Sequence, residues 1–248
     1  MKYIGIIPAR FASTRFPGKP LVEIAGKLMI ERVYNQVSKA INDVWVATDD
    51  KRIFDAVKAF GGKVVMTSEE HNSGTDRVNE AYEKIVGETK QTFDVVINVQ
   101  GDEPFIQANQ IESLISCFTS LSVDIATLVK KVDSKDELFD INKVKVVTAE
   151  SGKALYFSRQ TIPFLRGVDK EEWLNKHTFF KHIGMYAYRS NILPLIANMP
   201  MGDLEVSESL EQLRWLENGL TIQTAETDIE SIGIDTPADL EKVKKMNL

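Results

Sequence analysis

With a single cysteine, Cys117, in 248 residues, the chain can form no internal disulfide, and the thiol sets of zinc ribbons and dithiol redox centres are missing. A reducing compartment fits this. Histidine is nearly as scarce: His71, His177 and His182 fall in no metal-binding spacing, and no His-Glu-x-x-His or Cys-His set occurs. There is no Gly-x-Ser-x-Gly elbow, so hydrolysis by a nucleophilic triad has no support. Long apolar runs are also lacking; none approaches the ~18 residues of a membrane helix. The start, Lys2, a short apolar run to Pro8, then Arg10, is too short for a secretory core and has no small-residue cleavage site after it. A cytoplasmic protein without membrane partners is the expectation. Positive charge is not in excess either: 30 Lys and Arg against 36 Asp and Glu leave a net −6. That argues against a nucleic-acid partner, which needs a broad basic surface, but a few local cations still suffice for a small phosphorylated ligand.

What is present is a strand–helix alternation. YIGIIP (3–8) is a continuous apolar run ending in a loop, as buried parallel strands are. The spacing of Met29, Ile30, Val33, Tyr34 and Val37 predicts a helix over 27–40. A strand at 44–48, a helix over 49–62 with an Asp start and Gly stop, and a strand at 63–67 follow. Then come a helix over 73–87 opened by Ser73, a strand over 94–102 and a helix over 107–118. Alternation of this kind implies an α/β fold with a mostly parallel, helix-covered sheet. The middle differs: 123–132, 143–148, 153–159 and 182–188 read as strands without regular helices between them, an added and partly antiparallel sheet region. Helices at 190–198, 204–218 and 237–246 return around a strand at 220–225. One elaborated domain is expected, with a nucleotide part (1–122), the added sheet (123–190) and a returning segment (191–248).

Ligands in open α/β sheets bind beyond the C-terminal strand ends. The first such end is PARFASTRFPGK (8–19), which sets Arg10, Arg15 and Lys19 among small residues that let backbone N–H groups approach phosphates. It is neither a Walker A loop nor a GxGxxG fingerprint, and a solvated basic loop is the bland alternative. The fourth strand ends in VQGDEP (99–104). A carboxylate at Asp102 facing a triphosphate needs a cation between them, so Mg²⁺ is the natural inference; a turn with an exposed acid is the alternative. Asp235, in IGIDTPADL (232–240), is a second lone acid, readable as a metal ligand or, with Thr236 and Pro237, as a helix start. HNSGTDR (71–77) enters a helix whose free N–H groups could meet an anion, or Ser73 or Thr75 could simply cap it. His182 in KHIGMYAYR (181–189) alternates with Gly184, Tyr186 and Tyr188. It is open as a pocket face or an ordinary surface residue.

Taken together, IIPARFASTRFPGKPL (6–21), VATDD (46–50), HNSGTDR (71–77), NVQGDEP (98–104), ALYFSR (154–159), HIGMYAYR (182–189), SLEQLR (209–214) and IDTPADL (234–240) resemble the cytidylyltransferases that activate 3-deoxy-manno-octulosonate (Kdo). The first loop is shared more loosely by other sugar nucleotidyltransferases, whereas NVQGDEP with ALYFSR and LEQLR is far more specific. Leu28 departs from the Pro that the family often has there. The resemblance implies a nucleotide-diphospho-sugar transferase-like fold and transfer of CMP from CTP to Kdo, the activation step for lipopolysaccharide. It implies a triphosphate held by Arg10, Arg15 and Lys19, and cytosine and ribose at Pro8, Ala9, Ser73, Gly74 and Arg77. Mg²⁺ would sit on Asp102 and Asp235, with Gln100 lining the site for nucleotide and sugar alike. Kdo would meet Arg159, His182, Tyr186, Glu211 and Gln212. Lys19, Arg10, Asp102 and Asp235 carry the catalysis in this reading, and a homodimer would form through the middle sheet. A cytidylyltransferase for 8-amino-Kdo or sialic acid, or an inactive nucleotide-binding regulator, is the alternative.

Overall fold

A computed structural model describes residues 1–13, 15–71, 73–230, 233–234 and 236–244. The chain divides into two compact units, Met1–Glu112 with Tyr188–Ala197 and Ser231–Leu248, and Ser113–Ala187 with Asn198–Glu230. This grouping divides the returning segment of the sequence reading, since 198–230 goes with the middle of the chain.

The first unit opens with β1 (Tyr3–Ala9), followed by a hairpin of β2 (Glu23–Ile24) and β3 (Lys27–Leu28), and then α1 (Met29–Val37). β4 (Val44–Thr48), α2 (Lys51–Ala59), β5 (Lys63–Met66), α3 (Gly74–Thr89), β6 (Val95–Asn98) and the first half of α4 (Ala108–Cys117) continue it. β1 lies between β6 and β4, parallel to both, and β5 runs parallel beside β4. In register, Ala9 faces Thr48 and Ile6 faces Asn98, so the chain leaves β1, β4 and β6 at one edge. Ile4, Ile6 and Ile7 are fully buried, which is why β1 reads as an unbroken apolar run instead of an alternation. Met29, Ile30, Val33 and Val37 of α1 and Ile53 and Val57 of α2 are likewise fully buried. Each such side chain contributes about 1.5–3 kcal/mol relative to exposure. α3 starts at a capping box, with Ser73 and Asp76 each accepting the other's backbone N–H.

The helix expected over 27–40 begins later, at Met29. Residues 27–28 pair instead with 23–24 across a two-residue turn, in which Ala25 and Gly26 both take positive φ.

The second unit holds β7 (Ile125–Lys131), α5 (Lys135–Phe139), β8 (Lys145–Thr148), β9 (Ala154–Ser158), α6 (Trp173–Lys176) and most of β10 (Phe180–Arg189). After α7 (Leu193–Ala197) of the first unit it resumes with α8 (Asp203–Glu208), α9 (Gln212–Glu217) and β11 (Ile222–Glu226), and α10 (Pro237–Lys244) closes the described chain in the first unit. β11 runs parallel to β7, while β8 is antiparallel to both β10 and β9. The added sheet region is therefore partly antiparallel, as the sequence suggests. Two expectations need correction here. Short helices do interrupt the middle strands: Ser134 caps α5 by accepting the Glu137 N–H, but five residues are too few to show an apolar stripe. The helix expected over 204–218 is two, because the chain leaves α8 through Ser209 at φ 52. Arg214 in α9 is nearly buried and grips Glu205 of α8 through Nε at 2.6 Å and Nη2 at 2.7 Å.

Candidate active site

At the edge where β1 and β6 end, the first unit has a pocket of about 210 Å³. Its lining includes Pro8, Ala9, Arg10, Arg15, Lys19, Ser73, Gly74, Arg77, Gln100 and Asp102. Every described residue that the sequence assigns to the nucleotide is thus on one pocket wall or another. Two glycines make this geometry available. A Cβ on Gly101 would stand 2.8 Å from the Pro8 carbonyl oxygen, so only glycine lets the ends of β6 and β1 come this close. Gly18, at φ 70, closes the 10–18 loop by donating its N–H to Phe11 O at 3.0 Å. The Phe11 ring is covered by the Arg52 guanidinium at 3.3 Å, and Arg52 is itself paired with Asp50. The cationic loop is therefore anchored through an aromatic side chain and can leave its charges on the pocket.

Lys19 donates from Nζ to Asp102 Oδ2 at 2.6 Å, joining the first loop to the end of β6. Arg10 and Arg15 are exposed on the same wall. Arg77 is of a different kind: it is buried, with Nη1 on Thr67 Oγ1 and Nη2 on Asp49 Oδ2, both at 2.6 Å. Its charge is already balanced, so it shapes the wall more than it supplies attraction. Gln100 donates from Nε2 to Asn98 Oδ1 at 3.4 Å.

His71 also lines the pocket, along with Ser13, Pro20 and Gly101; the sequence reading assigned it no role because it looked for metal spacing. Its Nε2 contacts Glu80 Oε2. Burial works against ionisation of Glu80, but hydrogen bonds from Lys84, the Ser68 N–H and His71 outweigh it and hold the carboxyl at about 2. Position within HNSGTDR was the available signal for His71.

Asp235 lies outside the described residues, but its neighbours do not. Ile234 donates its N–H to the Asp102 carbonyl at 3.0 Å. The cap of α10 is Thr236: its Oγ1 accepts the Asp239 N–H at 3.3 Å, and Asp239 Oδ2 accepts the Thr236 N–H at 3.0 Å. Capping thus needs nothing from Asp235. No group of three or more His, Cys, Asp or Glu suited to a metal occurs among the described residues.

Of the residues assigned to the sugar, Gln100 lines the pocket of the first unit, while Arg159, His182, Tyr186, Glu211 and Gln212 are in the second. His182 is half-buried, with its ring edge-on to Phe157 at 5.3 Å and tilted against Tyr186 at 5.3 Å. Removal from water pushes it down to about 4, so it is neutral at neutral pH. Thr127 Oγ1 lies 2.9 Å from His182 Nε2 and 2.8 Å from the Met185 carbonyl. The hydroxyl has one proton to give, which goes to the carbonyl, so His182 is assigned as the Nε2–H tautomer with Nδ1 as an acceptor. Tyr186 stacks edge-on to Trp215 at 5.1 Å. Gln212 is buried, and its Nε2 has no hydrogen-bond partner among the described residues, a donor awaiting an acceptor. Glu211 is half-buried beside it in sequence.

Arg159 departs from the simple picture of a free fork. Its Nε donates to Glu208 O at 2.7 Å, and Nη2 and Nη1 reach Ser209 O at 3.3 Å and Ile141 O at 3.4 Å. One N–H on each terminal nitrogen is left unused by the described residues, enough for a carboxylate but from a guanidinium that is already fixed.

Comparison with known proteins identifies the family. A family model described as cytidylyltransferase matches residues 4–232. The 3-deoxy-manno-octulosonate cytidylyltransferase of Parabacteroides distasonis is 57% identical over 246 residues, 98% of this chain and 96% of that protein. That of Thermodesulfovibrio yellowstonii is 48% identical, covering 99% and 98%. Among solved structures, a CMP:2-keto-3-deoxy-manno-octonic acid synthetase complexed with CTP is 41% identical with a TM-score of 0.89, covering 98% of this chain and 97% of its own. A Leptospira borgpetersenii cytidylyltransferase, 16% identical with a TM-score of 0.60, covers 98% and 85% and shares the fold alone. With near-complete coverage at this identity, the chain belongs to the cytidylyltransferase family, among the 3-deoxy-manno-octulosonate cytidylyltransferases.

Proposed function

We propose that this chain transfers CMP from CTP to 3-deoxy-D-manno-octulosonate, giving CMP-Kdo and pyrophosphate. The observation that carries the reading is the pocket at the ends of β1 and β6, where Arg10, Arg15 and Lys19 line the same pocket as Asp102. The relatives named for this activity, and the similar structure whose name records CTP, support the choice of nucleotide and sugar.

Arg10, Arg15 and Lys19 bind the triphosphate, and the backbone at Pro8–Ala9 with the Ser73–Gly74 turn receives the nucleoside. The anomeric hydroxyl of Kdo attacks the α-phosphorus. A new P–O bond forms as the bond to the β-phosphate oxygen breaks, pyrophosphate departs in line, and the hydroxyl loses its proton. Such transfers ask mainly for positioning and charge neutralisation, and Lys19 and Arg10 sit where the leaving group gathers charge. No side-chain base is assigned. Arg159 turns its remaining N–H groups to the sugar carboxylate, while His182 Nδ1, Tyr186, Glu211 and Gln212 Nε2 meet hydroxyls and oxygens.

The donor set fits Mg²⁺. Asp102 offers hard oxygen donors, its side chain 32% exposed on the pocket, and Mg²⁺ typically takes one or two carboxylates plus substrate phosphates instead of an all-protein cage. Asp102 and Asp235 would hold it. When bound, it supplies further neutralisation of phosphate charge. A homodimer formed through the second unit and a cytoplasmic location complete the proposal; exposed Leu155, Phe164 and Ile141 of that unit suit burial against a second copy. No helix among the described residues is long and apolar enough to cross a membrane.

Mass spectrometry of the product tests the assignment. CMP-Kdo is expected from CTP and Kdo. Equal turnover of sialic acid or 8-amino-Kdo reassigns the sugar, and no product with any of them leaves a nucleotide-binding regulator.

A further inference from the structure

The turn between α8 and α9 leads straight into Glu211 and Gln212, and its conformation is unfavourable by itself. Ser209 is held at φ 52, a left-handed backbone that a side chain other than glycine, Asn or Asp rarely takes. What holds it is a reciprocal clamp onto the end of β9. Glu208 Oε1 accepts the Ser158 hydroxyl at 2.6 Å, and Oε2 accepts the Arg159 N–H at 2.9 Å. In return, the Arg159 side chain donates to the carbonyls of Glu208 and Ser209. One carboxylate and one guanidinium thus tie four points of a two-residue turn to two consecutive residues of a strand. Behind them Lys145, fully buried, donates to Asp140 O at 2.7 Å, and Arg159 Nη1 reaches Ile141 O in the same turn.

None of these contacts touches the nucleotide pocket, whose lining belongs to the other unit. The clamp's output is the direction in which α9 starts, and α9 starts at Gln212, whose buried Nε2 has no described partner. We propose that Glu208 is a positioning residue for the sugar acid: by holding Ser209 in the left-handed conformation, it presents Glu211 and Gln212 to the acceptor. This rests on the reading that the second unit binds Kdo. The same clamp explains why Arg159 can act on a carboxylate with little loss of side-chain freedom, since three of its donors are already fixed.

The test compares KM for Kdo, kcat and the calorimetric Kd for CTP in Glu208→Ala, Ser158→Ala and the double variant Glu208→Ala with Ser209→Gly. Glu208→Ala is expected to raise KM for Kdo about tenfold and Ser158→Ala about fivefold, the scale of one lost hydrogen bond or somewhat more. Kd for CTP should stay within about twofold, with kcat at saturating Kdo changing less than KM. Glycine takes φ 52 without a side-chain penalty, so adding Ser209→Gly should recover at least about half of the loss on a logarithmic scale. If Glu208→Ala does not fold, Ser158→Ala carries the same readout, because it keeps the Glu208 charge near Lys145 and Arg159. An unchanged KM for Kdo with a lowered Tm overturns the proposal and leaves the clamp purely structural; so does a glycine double variant no better than Glu208→Ala. Failure of the unmodified protein to turn over Kdo at all counts instead against the functional reading beneath it.

Discussion

Lys19 and Asp102 show how much a residue's role depends on what stands opposite it. Their 2.6 Å ion pair joins two loops, and the same carboxylate lines the pocket proposed to receive the triphosphate. Asp102→Asn keeps the shape but offers a poorer metal donor and one fewer charge. It should lower kcat about a hundredfold or more in a pyrophosphate assay at fixed Mg²⁺, the scale of a lost transition-state electrostatic contact. Near-normal kcat in a folded variant would reduce Asp102 to a partner for Lys19. Arg159→Ala should raise KM for Kdo about 10- to 150-fold and leave calorimetric CTP binding unchanged, because the residue is proposed to meet the sugar carboxylate and does not line the pocket after β1. A collapse of CTP affinity would contradict that division. His182 gives a pH signature. Its folded value of about 4 lies below the ordinary 6.5, so the unfolded chain binds more protons between the two and stability falls as pH drops through that window. From about pH 7.5 to about pH 5 this group should cost about 2 kcal/mol in urea unfolding. His182→Gln should remove that part of the slope; an identical slope would show that other groups carry it. The three cations of the first loop were legible because sequence holds them together. Asp49 behind Arg77 and Glu208 behind Arg159 were not, since each partner lies 28 or 49 residues away and only the fold pairs them.

Elements tell the same story at longer range. The parallel half could be read from the chain because a strand buried on both faces is a continuous apolar run and its helices carry local caps, as Ser73 and Asp50 do. The α8–α9 break could not be read, because an apolar pattern spans it and the turn at Ser209 is stabilised by Arg159 from a distant strand. The five-residue α5 has a plainer reason for not being legible, being too short for the helical period to repeat. Among the elements of the pocket, the close approach of β6 to β1 is the most exacting. A methyl group at Gly101 would meet the Pro8 carbonyl at 2.8 Å, backbone against backbone, with no side chain to give way. Gly101→Ala should therefore cost about 1–3 kcal/mol, seen as a lower Tm, and raise KM for CTP by displacing Pro8. Gly74→Ala, whose methyl meets nothing nearer than 3.7 Å, is the control and should fold like the parent. Equal behaviour of the two variants would refute the close-approach argument.

On the scale of the whole molecule, the chain forms two units built from interleaved stretches. The first concentrates cations and a carboxylate at the end of a parallel sheet. The second offers hydrogen-bonding side chains, a neutral imidazole and a fixed arginine, a set suited to a hydroxylated acid and not to a polyphosphate. The chain as a whole is acidic, so the cations of the loop after β1 are a local feature and not part of a broad basic surface. What is proposed for the molecule is the transfer of CMP from CTP to Kdo, with Mg²⁺ as the cofactor. Pyrophosphate release followed continuously, with CTP, Kdo and Mg²⁺ supplied singly, in pairs and together, tests this most directly. Release is predicted only when all three are present, and EDTA should abolish it. Pyrophosphate formed from CTP without Kdo, equal turnover with ATP, or a rate undisturbed by EDTA would contradict it.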